Sequence, residues 1–326
     1  MKRTFSFALA IGLLLAWPIS SFGDSISQLV VFGDSLSDVG NVYIATGGAE
    51  PAPPGYTAGL FTDGPDSVPA TSGPLGVWVQ QLAGMMGVSS PGPSLAGGNN
   101  YAFGGALTGY DPTFGSGGEP YVGDQVNEYL ASHPGALPSN ALYVFWAGAN
   151  DLFTGGNSPS TAVANLSANI STLYADGARN FLWLNMPPLG DTPDILALGP
   201  AEIAYFNTLS QEYNSDWSSA VATLDADDPG IKIVGENVYA LVLAMLADPS
   251  AYGFSNVTTA AQGIMGINPN TYLFWDGVHP TTMGHYWVAN LAYDDLSTPE
   301  ASTSLLFGTA VLAVAFMFGR RQRASA

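Results

Sequence analysis

Four apolar runs of strand length constrain the fold of this chain more than any other feature. The runs at 29–32, 141–147 and 181–184 have no polar interruption, and a fourth run at 231–234 contains one lysine. Continuous apolar runs suit parallel strands that are buried on both faces. Amphipathic stretches alternate with them, at 77–83, 124–131, 159–174, 201–224, 238–246 and 281–296. This alternation predicts right-handed βαβ units and one parallel sheet covered by helices on both faces.

Composition excludes several classes of function. The 326 residues include no cysteine, so disulfides, thiol nucleophiles and zinc–thiolate sites are impossible. The formal charge is −19, and only Arg179 and Lys232 are basic between Asp24 and Thr298. Such an acidic surface repels phosphate backbones, so nucleic acid is not expected as a partner.

The two ends of the chain are interpreted as targeting segments. Residues 1–23 carry Lys2 and Arg3, then an apolar stretch and small residues, which is typical of a secretory signal. One folded domain is therefore expected at 24–297. In the tail, 298–326, an apolar stretch at 305–318 precedes a basic cluster at 320–323.

This tail resembles the PEP-CTERM sorting tail of Gram-negative bacteria, with Ala301 where that family has a second proline. The resemblance implies a secreted or cell-surface protein that the tail anchors transiently in the inner membrane. The alternative is a plain C-terminal membrane anchor.

A serine follows the first apolar run at a sharp turn, Gly33-Asp34-Ser35. The carboxyl edge of an open α/β sheet is where ligands collect, so the Ser35 hydroxyl is expected at a site. A helix starting near Ser35 would also direct free N–H groups at that site. A second Gly-Asp-Ser begins at Gly23 but follows no strand and is rejected.

Three further blocks follow in order and complete a pattern. A double glycine ends a predicted strand at 99–106, Gly148-Ala149-Asn150-Asp151 follows the run at 141–147, and Trp275-Asp276-Gly277-Val278-His279-Pro280 comes late. With Gly33-Asp34-Ser35, these blocks resemble the GDSL or SGNH hydrolase family over about 28–296. The resemblance implies a three-layer α/β/α sandwich with a flavodoxin-like parallel sheet of about five strands.

Acyl transfer assigns roles to these residues. Ser35 would be the nucleophile, His279 the base that takes its proton, and Asp276 the group that orients the imidazole. The Ser35 N–H, the N–H of Gly105 (or Gly104) and the Asn150 amide would form the oxyanion hole. The alternatives are a turn or cap serine at Ser35, a turn cap at Asn150 and an ordinary glycine turn.

Two loops dense in glycine and proline, at 47–76 and 87–98, are expected to roof the site and shape an acyl pocket. The stretch 59–65 followed by Val77-Trp78-Val79 is similar to a segment of the secreted lipase, phospholipase and acyltransferase branch. Leu60 stands where that branch has arginine, and an insert separates the two parts.

The remaining polar residues receive no site role. His285 is expected on the surface of the last helix or in its packing, and His133 is assigned nothing. The acidic turn 225–228 lacks the spacing of a calcium loop. No cofactor or metal is predicted.

The sequence therefore predicts a secreted serine hydrolase that cleaves carboxylic esters, with a small-molecule ester or lipid as substrate. One alternative is an acyltransferase to an alcohol or polysaccharide, because its motifs would be identical. The other is a surface or biofilm-matrix protein that binds an extracellular polysaccharide without catalysis.

Overall fold

The computed structural model describes residues 26–52, 55–56, 59–63 and 76–297. The strands are β1 (Gln28–Gly33), β2 (Ala141–Trp146), β3 (Asn180–Leu184), β4 (Lys232–Glu236), β5 (Asn256–Ala260) and β6 (Tyr272–Phe274). The α-helices are α1 (Asn41–Ala45), α2 (Trp78–Met86), α3 (Val122–Ser132), α4 (Ala149–Thr154), α5 (Pro159–Ala175), α6 (Pro193–Leu198), α7 (Pro200–Asp227), α8 (Val238–Ala247) and α9 (Thr282–Ser297).

The predicted signal segment, 1–23, and the predicted tail, 298–326, lie outside the described residues. Among the described helices, none combines the length and the apolar character that a membrane span requires.

The main sheet is parallel, with the strand order β1-β2-β3-β4. The segment 99–103 runs beside the free edge of β1. Its backbone bonds to β1 include Val31 N to Asn99 O at 3.0 Å and Tyr101 N to Val31 O at 2.8 Å. Numbered along the chain, the order is second-first-third-fourth-fifth, which is the flavodoxin-like order. The predicted sheet of about five strands is thus present.

Helices cover both faces of this sheet. Alternate strand residues point to opposite faces, so Val30 and Phe32 pack with α3, α5 and α7, whereas Leu29 and Val31 pack with α2, α8 and α9. All four of these strand side chains are buried. The predicted three-layer α/β/α sandwich is confirmed.

The predicted strand at 99–106 is less regular than expected. The Asn100 side chain bonds to nearby backbone, donating to Ser37 O at 2.7 Å and accepting from Ala102 N at 3.0 Å. Such bonds compete with a regular ladder, so a single isolated bridge, between Val31 and Asn100, joins this segment to β1.

A second, small sheet was not predicted. β5 and β6 pair in parallel beside the main sheet, and β6 ends at Phe274. The loop 275–279 leaves directly from that end, and Trp275 N closes it by donating to His279 O at 2.8 Å. The small sheet therefore presents the late motif block as one rigid loop.

Candidate active site

The end of β1 fixes the position of Ser35. Gly33 lies against the neighbouring strand so closely that a Cβ there would come within 2.4 Å of Trp146 O. The buried Gln125 amide accepts from Gly33 N at 2.9 Å and donates to Gly33 O at 2.8 Å. The strand end is therefore clamped on both sides, immediately before the serine.

No helix starts near Ser35, so the condition for helix N–H groups at this site is not met. Residues 34–38 form a turn, in which Ser37 N and Asp38 N both donate to Asp34 O at 3.0 Å. The helix α1 begins only at Asn41, because the Asp38 carboxylate accepts from the N–H groups of Gly40 and Asn41 at 2.7 and 2.6 Å. The site therefore has no helix N-terminus at Ser35 whose free N–H groups could bind an oxyanion.

The loop after β6 brings the two partners of Ser35 together. His279 Nε2 lies 2.8 Å from Ser35 Oγ, and His279 Nδ1 lies 2.7 Å from Asp276 Oδ2. His279 lies 244 positions after Ser35 in the sequence. The fold thus places all three predicted residues in one line of hydrogen bonds.

The Asp276 carboxylate is held in its charged form. Burial alone would raise its pKa, but the hydrogen bond and charge of His279 and the Tyr56 hydroxyl lower the pKa of Asp276 to about 2. Its other oxygen, Oδ1, accepts from Val278 N at 2.8 Å and His279 N at 2.7 Å. An ionised, oriented carboxylate can fix the imidazole with Nε2 facing the serine.

The predicted oxyanion donors line the same cavity as Ser35 and His279. One N–H of the Asn150 amide donates to Ala106 O at 3.1 Å, which orients the amide and leaves its second hydrogen. Gly104 N donates to Asp38 Oδ2 at 3.0 Å, so its N–H is already used. Gly105 is exposed, with a φ of 82° that favours glycine, and is the better of the two candidates.

A cavity of about 390 Å³ opens beside Ser35. Part of its wall is apolar and comes from α8, β6 and α9 (Val238, Val242, Met245, Leu273, Phe274 and Val288). Met245 and Val288 are buried, so packing fixes these wall side chains. Such a surface suits a hydrocarbon group.

The two glycine-rich and proline-rich loops contribute unequally. From the described part of the first loop, Glu50 and Phe61 line the cavity. The second loop packs elsewhere, since Leu95 N donates to Asn41 Oδ1 at 3.1 Å, and none of its residues lines this cavity. The expectation that the second loop roofs the site is therefore wrong.

Two aromatic residues of the first loop contact the triad, and sequence reasoning gave neither a role. The Tyr56 hydroxyl donates to Asp276 Oδ2. The Phe61 ring lies 5.2 Å from the His279 ring, centroid to centroid. Phe61 belongs to the family-like segment at 59–65, whereas nothing in the sequence around Tyr56 marks it.

Two buried ionisable groups lie near the triad without a predicted role. Burial raises the pKa of Asp34 to about 7, and its Oδ2 has no hydrogen-bond partner. His285 is fully buried, neither ring nitrogen is hydrogen-bonded, and burial lowers its pKa to about 3. His285 is therefore a neutral packing residue rather than a surface one.

A family model and curated relatives were compared with this chain, and they point to the same family. A family model described as GDSL-like Lipase/Acylhydrolase matches residues 29–292. The chain is 33% identical to the "Uncharacterized protein in trpE-trpG intergenic region" of Pseudomonas putida, over 92% of this chain and 52% of that protein. It is 27% identical to Esterase EstA of Pseudomonas aeruginosa, over 86% of this chain and 48% of that protein. The chain thus spans about half the length of these two curated relatives.

Among solved structures, an aryl esterase of M. smegmatis aligns with a TM-score of 0.46 and 16% identity, over 83% of this chain and 98% of that one. A likeness at this level carries no inference about function.

Proposed function

The chain belongs to the GDSL-like lipase/acylhydrolase family, and from that premise we propose that it is a secreted serine esterase or lipase that cleaves carboxylic esters. The observation that carries the proposal is the line of contacts from Ser35 Oγ through His279 to Asp276, at 2.8 and 2.7 Å. These distances are within reach for proton transfer from a nucleophile to a base.

The reaction follows from this geometry. Ser35 Oγ attacks the ester carbonyl while His279 Nε2 takes its proton, and Asp276 stabilises the imidazolium that forms. The oxyanion is bound by the N–H groups of Ser35 and Gly105 and by the Asn150 amide. The alcohol leaves with the proton from His279, which gives an acyl-serine. A water molecule, deprotonated by His279, then attacks the acyl carbon. The acid leaves as the bond to Ser35 Oγ breaks and His279 returns the proton to that oxygen.

The cavity walls favour an ester with a hydrocarbon acyl chain. Burial of each methylene group is worth about 0.8 kcal/mol, or roughly a fourfold gain in kcat/KM while the chain still fits. We therefore expect activity to rise with acyl length and then to fall once the cavity of about 390 Å³ is filled.

Hydrolysis of p-nitrophenyl esters over a series of acyl lengths tests the proposal, with Ser35→Ala as the control. We expect turnover in the parent chain and only background in Ser35→Ala. Equal background rates in both proteins would contradict an esterase. In that case, product appearing only with an added alcohol would indicate acyl transfer, and polysaccharide binding that survives Ser35→Ala would indicate a binding protein.

Secretion is part of the proposal and is supported by the composition of residues 1–23. Expression in a Gram-negative host with N-terminal sequencing of the exported protein tests it. A mature end near Asp24 is expected, and intact Met1 in the cytoplasm would overturn it. Mass spectrometry of the same material shows whether the tail 298–326 is removed.

A further inference from the structure

The Asp276 carboxylate receives hydrogen bonds from two different parts of the chain. Within its own loop, Oδ1 accepts from Val278 N and His279 N, and Oδ2 accepts from His279 Nδ1 at 2.7 Å. The remaining donor is the hydroxyl of Tyr56, which also contacts Oδ2 and comes from the first loop. Tyr56 and His279 therefore share one oxygen atom.

The segment that carries Tyr56 is fixed to the catalytic loop by separate contacts. Trp275 Nε1 donates to Gly55 O at 3.1 Å, directly beside Tyr56. The Tyr56 and Phe61 rings lie 6.0 Å apart, and the Phe61 ring lies 5.2 Å from His279. Further along, Thr62 Oγ1 donates to Pro280 O at 2.9 Å. The hydroxyl is thus aimed at Asp276 by packing on several sides.

We propose that Tyr56 is a positioning residue for the reaction, because its hydroxyl holds Asp276 Oδ2 in the place from which that oxygen orients His279. This inference rests on the proposed function. The end of a carboxylate side chain rotates easily, since its terminal torsion is broad. The two backbone donors fix Oδ1, and Tyr56 is the external donor that fixes Oδ2.

The tyrosine keeps its proton across the working range of pH. Burial and the neighbouring Asp276 charge both raise the pKa of Tyr56. The hydroxyl consequently stays a donor, and its effect does not depend on pH in the neutral range. A tyrosine that merely filled space would act through its ring, which phenylalanine retains.

The test is Tyr56→Phe in the full chain, assayed on the ester that the parent hydrolyses best. Loss of a hydrogen bond to a charged group is expected to lower kcat about ten- to a hundredfold. We expect KM and the melting temperature to stay within about twofold and a few degrees, because the ring packing remains. The matched control is Tyr205→Phe, at an exposed tyrosine on α7.

Two further readouts separate positioning from a structural role. In an Asp276→Ala background, Tyr56→Phe should have no further effect on kcat, because the residue acts through Asp276. The downfield proton NMR signal of His279 Nδ1–H should also shift in Tyr56→Phe and not in Tyr205→Phe.

The outcomes distinguish this inference from the proposed function. If the parent is active, Ser35→Ala is not, and Tyr56→Phe equals the parent, the positioning role is wrong and the esterase stands. The positioning role is also wrong if Tyr56→Phe lowers kcat equally in the Asp276→Ala background. If the parent is no faster than Ser35→Ala, the proposed function fails and the role of Tyr56 fails with it.

Discussion

The Asn150 amide has one hydrogen bond that orients it and one hydrogen left for a ligand, so its contribution can be measured separately. Asn150→Ala should lower kcat about 10²–10³-fold with little change in KM, because the amide stabilises charge that exists only in the transition state. Steady-state kinetics on one ester checks this. Labelling by a fluorophosphonate should slow in parallel, since its adduct also carries an oxygen in the oxyanion hole.

An unchanged kcat in Asn150→Ala would remove the side chain from the oxyanion hole and leave it as a turn residue. Asn150→Ala also removes the hydrogen bond from Asn150 Nδ2 to Ala106 O. Loss of this bond alone would lower stability by about 1 kcal/mol, so a melting curve distinguishes it from misfolding.

At the residue scale, the sequence predicted the side chains that acyl transfer requires and missed those whose roles depend on tertiary contacts. Ser35, Asp276 and His279 could be chosen because acyl transfer needs those residue types in those blocks. The choice between Gly104 and Gly105 depended on Asp38, whose carboxylate bonds to Gly104 N at 3.0 Å. Tyr56 could not be found, because a lone tyrosine in a loop carries no periodicity and its partner lies 220 residues away.

At the scale of elements, α8 is expected to set the acyl length. Val242 on α8 lines the cavity and is only half-buried. Val242→Phe should lower kcat/KM for long acyl chains by about tenfold or more and leave short chains nearly unchanged, since each excluded methylene is worth roughly fourfold. A series of p-nitrophenyl esters measures the change.

The neighbouring residue provides the matched control for that experiment. Leu243→Phe adds bulk to the same helix at an exposed position that does not line the cavity, and should leave the length profile unchanged. Identical shifts in both variants would mean that helix stability, not the cavity wall, determines the profile.

The elements themselves were predicted well where the hydrophobic pattern was clear, as for the continuous apolar run of β2 and the amphipathic pattern of α5. The expectation failed where side chains override backbone preference. Asp38 delays the first helix to Asn41, and Asn100 breaks the regularity of the segment beside β1. The β5–β6 pair was missed because β6 has only three residues and β5 is mostly polar and partly exposed.

Considered as a whole, the molecule should be more stable in mild acid than at pH 8. Burial raises the pKa of Glu236 to about 8 and that of Asp34 to about 7. The unfolded chain releases both protons near the ordinary values of 4.5 and 3.8, whereas the folded chain retains them. Between these values the folded state binds more protons at both carboxyl groups, so they lower the free energy of unfolding as pH rises. Buried His285, whose pKa is lowered to about 3, opposes this trend below its ordinary value of 6.5, so the trend is expected to be steepest above pH 6.5.

Glu236→Gln tests this contribution away from the triad. The variant should reduce the loss of stability between pH 5 and pH 8 by an amount on the order of 2–4 kcal/mol, because a neutral amide has no proton to release. Urea unfolding at several pH values gives the slope. Asp225→Asn, at an exposed acid on α7, removes one charge without burial and should leave the slope nearly unchanged. Equal slopes in all three proteins would assign the effect to the general charge of −19.

The distance along the chain between nucleophile and base also governs when the molecule can become reactive. Ser35 is synthesised early, but His279 follows 244 residues later, and the two atoms meet only after the last loop has docked beside the first strand. A growing chain therefore carries Ser35 without its base until the loop 275–279 has been synthesised. On the proposed mechanism, ester cleavage must wait until that loop has docked beside β1.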